Sequence, residues 1–388
     1  MQLSLPSLFS SSLALTILIL LLYIIIKVNC IIKYLGINCI YIFALMILIR
    51  GFLPFEIEIF HITKTYPSDI FVPMIQKIVS TPLISKTSSF TVLTLLLMIW
   101  LIIAVMKLII RIVGYLSYYK RIKDFAKTSI LSLNTLKIFN LVSNKIFKKN
   151  IYCHLLQIDH ITTPAVFGLT NPIIMLPNIL YNDNDLYYIF LHELLHIKHK
   201  DFLTKISCDI LSSLYWWNPI ISTLYPLLIC QLQELRVDYY ICKSANKTTK
   251  NLYLECLRKT IVHSSNLSNK NSHSLYAFCD NSSNRNLMQR LKFITMKGIN
   301  NRITFGPIII FFVFIFLSFS FIVEAFNQPE YSEEGEKVFY KSKIDSYFVK
   351  NGVKFDLYLS GKYVYTTSEI ISDFQDLPIY NEIPQEKE

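Results

Sequence analysis

The eight cysteines of this 388-residue sequence include no Cys-x-x-Cys pair and follow no regular spacing. An even count alone does not make a disulfide framework, so reduced thiols in a cytosolic setting are expected. Charge is missing where a secretory signal peptide would need it: nothing basic precedes the first apolar run, and Lys27 and Lys33 follow it. Glycine is scarce as well, at nine residues, whereas 53% of the chain is hydrophobic and mean hydropathy is +0.41. That is too apolar for one soluble domain and points to spanning segments beside a folded aqueous part.

Four apolar runs are long enough to span a bilayer core, which requires roughly 20 helical residues. They extend from about Leu5 to Ile26, Leu35 to Leu53, Ser89 to Ile110 and Ile303 to Val323, the last without any charge. The net charge of +11 is unevenly spread. Between Arg111 and Asn150 there are nine basic residues and one acidic; between Lys243 and Arg302 there are eleven and two. Such asymmetry is first a topology signal, and it places residues 111–302 in the cytoplasm. No direct nucleic-acid binding is expected. Four crossings then leave both termini outside, in accord with twelve acidic and seven basic residues after Phe326.

The tail alternates apolar and polar residues around Asn351-Gly352 and Ser360-Gly361, the pattern of a small β-meander. The stretch Ile210 to Leu232 is apolar but broken by Asn218-Pro219. A fifth span there would spoil the charge pattern, so a buried or membrane-surface helix pair with Trp216 and Trp217 at the interface fits better.

Chemistry concentrates in "FLHELLHIKHKD", Phe190 to Asp201. His192 and His196 stand four apart on one helix face and can bind one Zn²⁺ ion. Glu193 can act as general base toward a water that the metal makes acidic. A chance match on an amphipathic helix is the bland alternative. It is weakened by Asn and Asp ahead of the helix and by Lys198, His199 and Lys200 at its end, which suit helix termini. A third ligand must come from another helix, because His199 cannot converge on the same ion. "QELRVDYY" offers Glu234 as that ligand and Asp238, one turn on, to hydrogen-bond a ligand histidine. Asp201 is a further candidate for that supporting role; a solvated helix face is the plain alternative for Glu234 and Asp238.

Upstream, "TTPAVFGLTNPIIMLP" reads as two short strands joined by a turn, and proline-flanked strands prefer sheet edges. Ala165, Val166, Phe167 and Gly168 could receive a substrate peptide as an added strand. A hairpin that merely packs on the zinc helix explains the same residues.

Taken together, the four spans, "PAVFGLTNPIIMLP", "HELLHIKHKD", "WWNP" and "ELRVD" resemble the integral-membrane zinc peptidases of the BlaR/MecR antirepressor family over roughly residues 1–326. The resemblance implies a gluzincin-like site with His192, His196 and Glu234 as ligands of one Zn²⁺ and Glu193 as catalytic base. It also implies cleavage of a cytoplasmic BlaI/MecI-type repressor, and self-cleavage near the last span, for which the basic stretch Asn281 to Phe293 is the expected exposed site. Antibiotic-sensing members carry a large penicillin-binding domain with a Ser-x-x-Lys nucleophile. Here about 62 residues follow Phe326 and the match Ser244 to Lys247 falls on the cytoplasmic side. Direct covalent β-lactam sensing is therefore not expected, and the signal would enter through the tail, the loop after Arg50 or a partner.

The expected architecture is mainly α: a polytopic protein of the bacterial cell membrane with four transmembrane helices. Residues 1–110 hold three spans, 111–302 a cytoplasmic zinc peptidase domain with a small β-sheet, 303–323 the fourth span and 324–388 an extracytoplasmic β-rich tail. Expected partners are a cytoplasmic repressor as substrate and membrane lipid, with a homodimer left open. A quality-control protease of the membrane, or a non-catalytic receptor or scaffold with structural zinc, are the competing functions.

Overall fold

A computed structural model describes residues 5–53, 62–66, 91–126, 131–147, 152–158, 161, 163–243, 245–268, 283–295, 305–325, 347–351, 354–359, 362–367 and 377–380. The chain is mainly helical with small mixed sheets. It separates into two units, residues 1–64 with 82–323 and residues 65–81 with 324–388. The loop after Arg50, named above as a possible signal entry, falls largely outside the described residues.

In the larger unit, α1 (Leu5–Lys27), α2 (Asn29–Leu35) and α3 (Ile37–Phe52) are apolar helices broken at Val28 and Gly36. Gly36 takes φ +79, a left-handed value that lets the chain leave α2 and restart at once. Then come α4 (Val92–Ala126), α5 (Leu133–Phe147), α6 (Asp183–His199) and α7 (Asp201–Leu214). A π-turn over Ile220–Leu224 leads into α8 (Tyr225–Cys242), followed by α9 (Lys247–Ser268), α10 (Ser283–Thr295) and α11 (Phe305–Ser320).

Among the described residues one helix, over Thr94–Asp124, is long and apolar enough to cross a membrane. Ser11–Lys27, Ile37–Phe52 and Gly306–Phe319 are shorter apolar helices. Helix α4 carries the third apolar run from Val92 and continues past Ile110 to Ala126, where no proline intervenes and the one glycine, Gly114, is tolerated. The stretch Ile210 to Leu232 is a helix pair, broken at Tyr215–Asn218. Asn218 supports the restart by accepting from the backbone N–H groups of Ile220 (3.0 Å) and Ile221 (3.4 Å).

Two apolar clusters organise this unit. The first joins α1 and α3 to α7, α8, α10 and α11 through Leu15, Ile19, Phe43, Ile47, Leu211, Leu228, Leu232, Phe293 and Phe311. The second surrounds α6: Leu186, Ile189, Phe190 and Leu194, at helical spacing, pack on Phe139 and Val142 of α5, Val237 of α8 and Tyr253 of α9. Phe190 is fully buried and meets Phe139 edge-to-face at 5.5 Å, so truncating it to Ala would cost about 3–5 kcal/mol.

A three-stranded mixed sheet leans on the second cluster. Its order is β1 (His154–Ile158), β3 (Ile173–Pro177), β2 (Ala165–Phe167), with β1–β3 parallel and β2–β3 antiparallel. The proline rule places both "PAVFGLTNPIIMLP" strands at edges, but Ile173–Pro177 is the central, fully buried strand. Pro172 and Pro177 sit at or just beyond its ends, where lost N–H donors matter least, and the parallel strand β1 supplies the second neighbour. Gly168 bends the chain away from β2 with φ +101; an added Cβ would lie 2.9 Å from the Asn171 carbonyl oxygen.

The smaller unit holds a four-stranded sheet in the order β6 (Lys362–Thr367), β5 (Lys354–Leu359), β4 (Tyr347–Asn351), β7 (Ile379–Tyr380). The β4–β5 and β5–β6 pairs are antiparallel and β7 joins β4 in parallel. Phe348 and Leu357, directly paired, are buried on one face.

Six cysteines among the described residues, Cys39, Cys153, Cys208, Cys230, Cys242 and Cys256, are free thiols.

Candidate metal centre

Helix α6 carries the first three residues of the site. Asn182 precedes it in extended conformation, Asp183 and Asp185 fill the first turn, and His196, Lys198 and His199 fill the last, which suits the helix dipole at both ends. Lys200 then takes the left-handed conformation (φ +56, ψ +39) and α7 begins at Asp201. This sharp corner brings the Asp201 carboxylate back onto the helix just left.

Within α6, His192 and His196 turn their Nε2 atoms toward each other at 3.2 Å. Glu234, from α8, brings its two carboxylate oxygens to 3.2 Å from His192 Nε2 and 3.5 Å from His196 Nε2. The three ligand atoms lie within 4.8 Å of one another. Two imidazole nitrogens and one carboxylate, on two helices, are the donor set of a zinc centre that keeps one position for water or substrate. The residues present therefore fit a zinc ion. Glu193 is buried (7% exposed) on the α6 face that packs inward, whereas the Glu234 side chain is 31% exposed and marks the open side.

Each histidine is held from behind. His196 Nδ1 lies 2.6 Å from Asp201 Oδ2, and a carboxylate there can only accept, so the hydrogen is on Nδ1. Asp201 is 1% exposed; its other oxygen is paired with Arg236, and Gln233 donates to its backbone carbonyl at 3.1 Å. His192 Nδ1 lies 3.1 Å from the Tyr253 hydroxyl, which donates to Asp238 Oδ1 at 2.5 Å and so accepts from the imidazole. Arg290 closes the ring: Nε and Nη2 each reach the Asp238 carboxylate at 2.8 Å, and Nη1 reaches Glu234 Oε2 at 2.9 Å.

The charges follow from these contacts. Burial opposes a proton on His196, but the hydrogen bonds to Asp201 and Glu234 outweigh it and push its pKa up to about 10. Desolvation would raise Glu234, yet Arg290 and the two histidines hold it well below the usual carboxylate range. His199 lies off the site against Tyr240, with its pKa lowered to about 4 by burial and by nearby Arg236.

The sequence-based expectations meet this geometry unevenly. His192, His196 and Glu234 come together, and Asp201 bonds a ligand histidine directly. Asp238 does not: it serves His192 through Tyr253. Of the stretch Asn281 to Phe293, residues 283–293 lie on α10, an amphipathic helix whose Met288 and Lys292 are exposed while Phe293 is buried in the helical core. Sequence reasoning missed Tyr253, Arg236 and Arg290. Arg236 sat in view inside "ELRVD", one turn before Tyr240, but nothing in spacing joins Tyr253 to His192, 61 residues before it, or Arg290 to Asp238, 52 residues before it.

Strand β2 lies beside α6. Val166 packs on the α6 cluster, and Phe167 sits among Tyr118 (4.9 Å), Phe202 (5.1 Å) and Tyr115 (6.1 Å). Its edge away from β3 has no strand partner among the described residues.

Comparison with known proteins adds independent support. The family described as BlaR1 peptidase M56 matches residues 6–294. The chain is similar to the methicillin resistance mecR1 protein of Staphylococcus aureus strain Mu50, with 28% identity over 142 residues, 36% of this chain and 23% of that protein. It is similar to regulatory protein BlaR1 of Staphylococcus aureus, with 26% identity over 251 residues, covering 60% and 40%. Regulatory protein BlaR1 of Bacillus licheniformis is 30% identical over 101 residues, covering 26% and 17%. The matches thus span less than half the length of these relatives.

Proposed function

Because the chain belongs to the BlaR1 peptidase M56 family, we propose that it is a membrane-anchored zinc endopeptidase that cleaves a cytoplasmic transcriptional repressor. The observation that carries the metal assignment is the convergence of His192, His196 and Glu234, backed in turn by Tyr253, Asp201 and Arg290. The repressor substrate rests on similarity to proteins named as regulatory and resistance proteins.

Bound zinc supplies Lewis acidity that polarises a carbonyl and makes water a stronger acid. The protein does the rest. Glu193 accepts a proton from the attacking water and returns it to the departing amine, the role that its place directly after His192 in the His-Glu-x-x-His pattern of α6 supports. Strand β2 takes the substrate as an antiparallel neighbour, with Ala165 to Gly168 supplying backbone donors and acceptors. Asp201 and Asp238 keep the imidazoles in one tautomer and orientation.

In this reading the four apolar helices cross the membrane, residues 111–302 face the cytoplasm and both termini lie outside, as the lysine and arginine counts favour. Co-expression with candidate repressors tests it. Repressor should be lost with the native chain and persist with Glu193→Ala; equal loss in both would refute the peptidase. Broad degradation of unrelated membrane proteins would instead favour a quality-control role.

A further inference from the structure

We infer that Arg290 and Tyr253 are positioning residues of the metal centre, and that Arg290 makes helix α10 a working part of it. The inference rests on the zinc-peptidase reading above but names groups that no motif of the sequence contains.

Arg290 uses all three of its guanidinium nitrogens within one network. Nε and Nη2 grip the Asp238 carboxylate side-on, and Nη1 reaches Glu234 Oε2 at 2.9 Å. Asp238 is fully buried and would be an uncompensated charge without this partner. Glu234 has more freedom, being the partly exposed ligand, and Arg290 is the cation in the described structure that fixes one of its oxygens. With Oε2 held between Arg290 and His192 Nε2 (3.2 Å), the carboxylate keeps Oε1 toward His196 Nε2 (3.5 Å) instead of rotating into solvent. Tyr253 performs the matching service for His192, relaying Asp238 to Nδ1 through a single hydroxyl. The same aspartate thus steadies two ligands from two helices.

The placement of Arg290 has its own meaning. Helix α10 is seated on α8 by Phe293, and Gln289 donates to the Ile26 carbonyl at the end of α1 at 2.9 Å. Residues 296–304 then lead to the apolar helix α11. Displacement of α10 from that seat would withdraw Arg290 from Glu234, so the metal site is complete only while α10 is docked.

The test uses the full chain in detergent, stripped of metal and titrated with Zn²⁺ against a competing chelator, with Co²⁺ absorption as a probe of ligand geometry. Arg290→Gln should weaken Zn²⁺ binding about 10–100-fold and alter the Co²⁺ visible bands. Arg290→Lys should recover only part of this, because an ammonium cannot span both carboxylates. Tyr253→Phe, which keeps the ring, should weaken binding about threefold or more. Unchanged affinity and an unchanged Co²⁺ spectrum in Arg290→Gln and Tyr253→Phe would overturn the inference. So would full recovery by Lys together with an unchanged Co²⁺ spectrum in Tyr253→Phe. Failure of the native chain to bind Zn²⁺ at all would instead refute the metal assignment itself.

Discussion

The Arg236 guanidinium lies 3.7 Å from the centre of the Tyr41 ring. One end of this contact is on the apolar helix α3 and the other is paired with Asp201, which holds His196. The Tyr41 hydroxyl also meets Thr204 Oγ1 at 3.2 Å, one turn into α7. An apolar helix therefore reaches His196 of the candidate metal centre through two intermediates. Replacing the ring by Tyr41→Leu should remove a cation–π contact of about 0.5–2 kcal/mol, lower the unfolding temperature and loosen Zn²⁺. Tyr41→Phe, which keeps the ring, should retain most Zn²⁺ affinity. Chelator competition on both variants checks this, and equal affinity in Tyr41→Leu and native protein would sink it.

Asp201→Asn replaces an acceptor of two donors by a group that has one acceptor and one donor. The amide cannot face both His196 Nδ1–H and Arg236 without opposing donor to donor. Zn²⁺ affinity should fall about 10–100-fold while the helical circular dichroism signal stays. A variant that binds Zn²⁺ as the native chain does would show that His196 needs no such support.

Metal loading should release a proton. In the metal-free chain His196 has a raised pKa of about 10, against 6.5 ordinarily, so it is charged at pH 7.5 and must give up a proton to ligate. Apparent affinity should therefore rise with pH up to about 10, close to tenfold per unit for one proton. The stability that its ion pairs lend the metal-free chain follows the opposite course. It is complete below pH 6.5 and lost as pH rises through about 10. Calorimetry in buffers of different ionisation enthalpy measures the release; a binding heat independent of buffer would contradict it.

How much of this could be read from the residues alone divides along the range of the interactions. The shared face of His192 and His196 was legible because a helix sets residues four apart side by side, and the approach of Glu234 followed from the need for a third donor on another helix. The central position of Ile173–Pro177 was hidden, since its parallel partner His154–Ile158 carries no turn signal that links the two. Arg290 was hidden for a deeper reason: a basic residue in a basic stretch looks solvated until a buried carboxylate is found opposite it. The apolar runs gave helices, but periodicity does not say where α3 meets α7; that contact depends on Gly51, where an added Cβ would lie 2.8 Å from Leu211 Cδ1.

Gly168→Ala should cost about 1–3 kcal/mol, because an L side chain rarely adopts φ +101 and the Cβ would press on the Asn171 carbonyl oxygen. If β2 receives substrate, peptide hydrolysis should also show a raised KM while Zn²⁺ affinity stays as it was. Thermal unfolding together with steady-state kinetics separates the two effects. A stability loss with unchanged KM would leave β2 a packing element.

The first apolar cluster runs without interruption from Leu15 and Ile47 through Leu211 and Leu232 to Phe293 and Phe311. Helices α1, α3 and α11 thus form a wall of the peptidase itself and do more than tether it. Such a protein resists modular exchange: residues 111–302 transplanted alone would carry a raw apolar flank, and a recombination event preserving every metal ligand would still yield an inactive product. Inheritance of this peptidase is therefore inheritance of its apolar helices α1, α3 and α11 as well as of its metal-centre motif.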